Sequence, residues 1–176
     1  MAPLPWKSFW SFYCFTLALL IFAQLCLGLY MTGLELYHPW YHKAPRIHKG
    51  IGLLIASMTI LRLGVRLSKG LPTLKEFFIS LRYNVYGVQH LLLYAVILTT
   101  ASAGFGFATS DGKPAPFFGL FDIPSPVTLS KETGNILDAL HHLFAWALIV
   151  LILLHSIEKM RLLLQRRRAV GVGRRV

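Results

Sequence analysis

Residues 9–32 read FWSFYCFTLALLIFAQLCLGLYMT, from Phe9 to Thr32 without one charged side chain. A helix that crosses the hydrocarbon layer needs about 20 mainly apolar residues, and this stretch supplies them. A helix on the surface of a soluble domain keeps a polar face; Phe9 to Thr32 leaves none. Lys7 ahead of the run, with Leu25-Cys26-Leu27-Gly28 inside it, also has the look of a secretory or lipoprotein signal. The run is too long for the apolar region of a signal, so it is read as a first membrane helix.

Three further runs repeat the pattern. Gly50 to Leu61, Asn84 to Ser110 and Ala139 to Ile157 carry no charge, and only Arg62 and Arg66 interrupt the second run on its way to Leu67. The sequence therefore predicts an all-α, integral membrane four-helix bundle, with helices near residues 8–32, 46–67, 84–108 and 134–160. One domain over 1–165 and a basic tail over 166–176 account for the chain, a length that suits a single domain. At 55% hydrophobic residues, disorder is excluded.

The chain is nevertheless strongly basic, with a formal net charge of +11. Lys7, then Arg62, Arg66, Lys69, Lys75 and Arg82, then Lys159, Arg161, Arg166, Arg167, Arg168, Arg174 and Arg175 fall on one side of the four helices, against Glu76 and Glu158. Lys43, Arg46, Lys49, Lys113 and Lys131 fall on the other, balanced by Glu35, Asp111, Asp122, Glu132 and Asp138. Basic residues mark the cytoplasmic side, so both termini are expected there, with the loops 33–45 and 109–133 outside. The Arg166-Arg167-Arg168 cluster then reads as a headgroup contact that fixes topology, not as a nucleic-acid patch. The loop 109–133, with Asp111-Gly112-Lys113-Pro114, Pro116, Pro124 and Pro126, is long for a connection without elements of its own, which is usual for functional loops. No phosphate-cradling glycine loop, Ser-His-Asp set or paired zinc-type cysteines occur. Cys14 and Cys26 lie about 18 Å apart along one helix, too far to bond.

The histidines carry the chemistry. His38 and His42 lie in a polar loop and read as solvated, whereas His48, His90, His141, His142 and His155 lie in or at the ends of apolar helices, where ionisable groups are costly and usually functional. His141 and His155 are fourteen residues apart, which is about 21 Å of rise and within about 40° of four full turns. They project from one face at two depths, the geometry that two stacked haems in one bundle require. The same interval joins His48 to Arg62, His90 to Gly104 and Cys14 to Gly28. An outer layer of Gly28, His48, Gly104 and His141 follows, and an inner layer of Cys14, Arg62, His90 and His155. Glycine lets a flat macrocycle approach a helix; Arg62 suits haem propionates.

Trp40-Tyr41-His42-Lys43-Ala44-Pro45-Arg46-Ile47-His48-Lys49 followed by Gly50-Ile51-Gly52, the loop Thr109-Ser110-Asp111-Gly112-Lys113-Pro114 with Phe118-Gly119-Leu120-Phe121-Asp122-Ile123-Pro124, and the fourth helix with His141 and His155 together resemble the bacterial cytochrome b561 family. The resemblance reaches from the first helix to about residue 165. It implies a bacterial inner-membrane protein that binds haem b and passes single electrons, with ubiquinone as a substrate and superoxide or a redox protein as donor. Lys43, Arg46, Lys49 and Lys113 would then steer an anionic donor. The resemblance implies His48 and His141 as ligands of an outer haem, and His155 with a first-helix histidine as ligands of an inner one. Here the chain departs, because Cys14-Phe15 stands where the family has His-Trp. For that site, ligation by Cys14, ligation by His90, and a five-coordinate or absent haem all remain open. Two other roles stay beside the main one: a haem-b membrane anchor between a dehydrogenase and quinone, and a haem-depleted member.

Overall fold

The computed structural model describes residues 5–68 and 85–172, with the side chains of 8–68 and 89–165. Lys69, Lys75, Glu76, Arg82, Arg174 and Arg175, which entered the charge argument, lie outside the described residues, and the side chains of Lys7 and Arg166–Arg168 are likewise not described. Among the described residues there are four long helices: α1 (Pro5–Thr32), α2 (Lys43–Leu67), α3 (Val85–Ala108) and α4 (Lys131–Val172). Each contains a stretch long and apolar enough to cross a membrane: Ser8–Thr32, Lys43–Leu67, Gln89–Ala108 and Lys131–Gln165.

The fourth helix is longer than expected at both ends. It starts at Lys131 because Ser130 caps it, the Thr133 backbone N–H donating to Ser130 Oγ at 3.1 Å. It continues past residue 160 to Val172 because Glu158 to Val170 contains no glycine or proline and is rich in Leu, Lys, Arg and Gln, all good helix formers. The basic segment from Arg166 is therefore helical up to Val172.

The centre of the bundle is a dry plug. Leu17 and Ile21 of α1, Ile55 of α2, Ile97 of α3 and Leu148 of α4 form one buried cluster, with Leu20, Leu25, Ile51, Met58, Leu93, Val96 and Ile152 packed around it. Ile21, Ile55, Ile97 and Leu148 each stand seven residues, about 10 Å of helix rise, from both layer positions on their own helix. The two layers thus flank an apolar middle contributed by all four helices. Within the bundle α4 packs closely along α3, while α1 and α3 each pack on α2; among the described residues α4 approaches α1 and α2 only sparsely.

The loop after α3 holds an element that the sequence reading lacked. β1 (Ala115–Phe117) pairs antiparallel with β2 (Phe121–Ile123), with Phe117 opposite Phe121. The Leu120 N–H donates to the Phe117 carbonyl at 3.0 Å, and the two central residues, Phe118 (φ 52°) and Gly119 (φ 77°), are both left-handed. Phe118, Gly119 and Leu120 thus connect the strands, through a tight turn whose left-handed central residues match the twist of a hairpin. Such a backbone is normal for Gly119 and costs a bulky residue about 1–2 kcal/mol. Packing offsets the cost: the Phe118 ring lies so close over Gly50 of α2 that a Cβ there would meet three ring carbons at 2.9–3.0 Å. The hairpin is thereby seated on α2 two residues beyond His48. Gly50→Ala should unseat Phe118 and lower thermal stability by about 1–3 kcal/mol, the usual cost of overpacking. Adding Phe118→Ala should restore part of that loss in a detergent melting experiment.

The rest of the loop is pinned to the end of α3. Ser125 Oγ donates to the Thr109 carbonyl at 2.9 Å and the Leu129 N–H donates to the Ser110 carbonyl at 2.9 Å. At its tip Lys113 Nζ donates to Asp111 Oδ2 at 2.6 Å. That bond first, and the Lys113 backbone N–H second, hold the Asp111 carboxyl below its ordinary range. The contact is present at neutral pH and lost as pH falls through that lowered value; being fully exposed, it contributes little to stability.

Candidate functional site

His48 and His141, which the fourteen-residue spacing places in one layer and the family resemblance pairs, come together. Their ring centres are 6.0 Å apart with planes at 83°, across α2 and α4, the helices that stand apart. His141 is aimed by a backbone contact from α3: its Nδ1–H donates to the Thr100 carbonyl at 2.9 Å. That bond fixes the tautomer and leaves Nε2 with its lone pair free for a metal, the usual outer support of a ligating imidazole. The adjacent His142 differs. It is exposed, and its ring nitrogen bonds the Asp138 carbonyl at 3.0 Å, one turn back on its own helix. His38 and His42 are exposed, as expected.

His48 is positioned through its backbone. Gln24 Nε2 of α1 donates to the His48 carbonyl at 2.9 Å, and a Cβ on Gly52 would stand 3.1 Å from that same nitrogen. This bond ties the register of α1 to that of α2. His48 Nδ1 is buried without a hydrogen-bond partner in the protein, a costly state for a ring nitrogen unless a further group joins it. Gly28 and Gly104, expected to let a macrocycle approach, make room here for the imidazole rings themselves. A Cβ at Gly28 would stand 3.3 Å from His48 Cε1, and one at Gly104 only 2.6 Å from His141 Nδ1. A larger residue at Gly104 would displace the His141 ring.

Two imidazoles that share one metal ion at about 2 Å per bond hold their ring centres about 6 Å apart. The His48–His141 gap meets that requirement; the residues on the hairpin side fit an iron with two imidazole ligands. Above them, near the hairpin, Met31, Leu34, Tyr41, His42, Pro45, Arg46 and Lys49 line an open cleft of about 460 Å³. Arg46 also reaches the turn, its Nη2 lying 3.4 Å from where a Gly119 Cβ would be.

The opposite layer is assembled differently from the expectation. His90 and His155 meet directly, ring centres 4.8 Å apart at 85°. Arg62 lies over the Trp10 ring at 4.6 Å, a cation–π contact, with its Nε buried and unpaired. Cys14 is exposed, and its neighbour Tyr13 is committed to α2, donating to the Met58 carbonyl at 2.6 Å. Among the described residues no three His, Cys, Asp or Glu side chains cluster as a metal site. The sequence reading missed Trp10, Gln24 and Thr100. Trp10 was legible in principle, since it lies eighteen residues, five full turns, before Gly28 and so shares its face. Thr100 acts through its carbonyl and leaves no signal in residue type.

A membrane four-helix bundle with imidazoles at two depths and glycines beside them is the frame of a b-type electron-carrying cytochrome. A family model described as prokaryotic cytochrome b561 matches residues 15–158. The chain is also similar to cytochrome b561 homolog 2 of Escherichia coli (strain K12), 32% identical over 139 residues, which is 79% of this chain and 74% of the relative. No solved structure matches it. The chain belongs to the prokaryotic cytochrome b561 family: a multi-pass, haem-b protein of the bacterial inner membrane that serves electron transfer.

Proposed function

We propose that His48 and His141 hold a haem b between α2 and α4, and that the chain passes single electrons from a donor at the hairpin face to the quinone pool. The observation that carries this reading is the facing pair of imidazoles, 6.0 Å apart across helices that stand apart. When bound, haem b supplies an iron centre that accepts and releases one electron at a time. The protein supplies the rest. Thr100 holds the His141 tautomer, Gln24 holds the α2 register, and Gly28 and Gly104 leave room for the two rings to lie against α1 and α3. With His48 and His141 both as ligands, a bound haem would be suited to electron transfer and not to oxygen binding. The Leu17–Ile21–Ile55–Ile97–Leu148 plug excludes water from the middle of the bundle.

The positive-inside distribution supports a hairpin that faces outward and termini that face the cytoplasm. The cleft at that outer face carries His42, Arg46 and Lys49, with Lys43 beside it and Lys113 on the loop. This arrangement suits an anionic donor such as superoxide, since a local positive field raises the encounter rate. Lys43→Gln, Arg46→Gln and Lys49→Gln together should slow reduction by superoxide several-fold and flatten its dependence on ionic strength. Stopped-flow absorbance at two salt concentrations checks this. The test of the reading as a whole is chemical reduction of the purified protein followed by a ubiquinone analogue. A b-type spectrum that appears on reduction and disappears with one electron per haem is expected. A chain without that spectrum, or one that quinone fails to re-oxidise, refutes it.

A further inference from the structure

We infer that the layer opposite the hairpin is a direct His90–His155 imidazole pair and not an iron site with two imidazole ligands, so that this chain carries one six-coordinate haem and exchanges electrons within the hairpin-side half of the bundle. The inference rests on the proposed His48–His141 site and deepens it.

Three independent observations lead there. The first is distance. The His90 and His155 ring centres are 4.8 Å apart, against 6.0 Å for His48 and His141. Two nitrogen–metal bonds of about 2 Å need the larger separation. The second is the frame behind the side chains. His90 and His155 stand on α3 and α4, which are in close contact along their length, whereas His48 and His141 stand on helices that are not. Helices in direct contact have axes about 8–10 Å apart, and the two imidazoles already meet across that close contact. The third is the remaining wall. The α1 position fourteen residues before Gly28 is Cys14, which is exposed. The adjacent Tyr13 hydroxyl is engaged by the Met58 carbonyl, and Arg62, expected beside a propionate, is turned onto Trp10. No imidazole faces His155 from α1, since α1 contains no histidine.

The consequence is functional. The two layers lie about 21 Å apart along the helix, with the apolar plug between them. Without a second six-coordinate carrier, an electron that enters from the hairpin face also leaves from that half, one in and one out at the same centre. The acceptor is then a quinone headgroup or a protein surface reached from the hairpin-side leaflet.

The experiment uses the full-length holoprotein, purified and also reconstituted in vesicles of defined orientation. Haem-to-protein ratio and the low-spin ferric signal in electron paramagnetic resonance are measured for the parent chain, His155→Ala, His90→Phe (which keeps a ring against His155) and His48→Ala. One haem per chain is expected, with ratio and signal preserved in His155→Ala and His90→Phe and lost in His48→Ala. In the vesicles, membrane-impermeant ferricyanide should re-oxidise the reduced protein from the hairpin side only. Two haems per chain, a halved ratio in either opposite-layer variant, a second signal lost in Cys14→Ser, or ferricyanide access from both faces overturns the inference while leaving the His48–His141 site standing. One haem that survives His48→Ala and is lost with His155→Ala overturns the underlying site as well.

Discussion

His48→Ala and His141→Ala are each expected to yield a folded chain without six-coordinate haem on the hairpin side, and the double variant should be no worse than either. The two imidazoles face one another at 6.0 Å from helices that make only sparse contact. Each is useful only while the other is present, so their losses do not add. The apolar plug is made by other residues, on all four helices, and survives both substitutions. What the variants do lose is the stabilisation that a tightly bound ligand gives the native state by mass action. That amounts to about 4 kcal/mol when the free ligand is at a thousand times its dissociation constant. A haemochrome assay should show at least a tenfold drop in bound haem, and a melting curve should show a lowered midpoint. Variants that keep a bis-imidazole spectrum would show that the ligands lie elsewhere.

Gly104→Val should produce nearly the same loss although both histidines remain. A Cβ at this position would stand 2.6 Å from His141 Nδ1 and 2.8 Å from Cε1. One of two things must give. Either the imidazole swings away, which breaks the 2.9 Å bond to the Thr100 carbonyl, or α3 and α4 separate along the most extensive helix contact in the bundle. Swinging the ring frees the tautomer and removes the aimed lone pair; separating the helices costs overpacking strain of about 1–3 kcal/mol. Haem content should fall at least tenfold, and Gly104→Ala should fall between parent and valine. Gly64, where nothing lies within 4 Å of an added Cβ, provides the control: Gly64→Ala should leave haem content unchanged. Full haem occupancy in Gly104→Val would mean that the ring and α3 do not contact as described.

The membrane helices were legible because an apolar run is a property of residue type alone: Phe9 to Thr32 requires no neighbour to be understood. That His48 and His141 share a layer was legible for a related reason. A fourteen-residue interval nearly completes four turns, and Gly28 and Gly104 fell in the same layer by the same arithmetic. The arithmetic gave depth, however, and not lateral neighbours. It placed His90 and Arg62 at the right level but could not say that α3 packs against α4, which brings His90 onto His155, or that Arg62 would turn to Trp10. The hairpin was hidden because its turn runs through Phe118, a residue that disfavours a positive φ. It is selected by packing over Gly50, more than sixty residues earlier in the chain. Backbone acceptors such as Thr100 O, His48 O and Met58 O are equally silent in a sequence.

α4 runs without a break from Lys131 to Val172, and it carries both His141 and His155. The two imidazoles are therefore geared. Any roll of α4 that re-aims His141 toward or away from His48 must carry His155 across His90 through the same angle, because no kink lies between them to absorb the turn. Anchoring one end clocks the other, and inserting a single residue anywhere between them would throw the two ends about 100° out of phase.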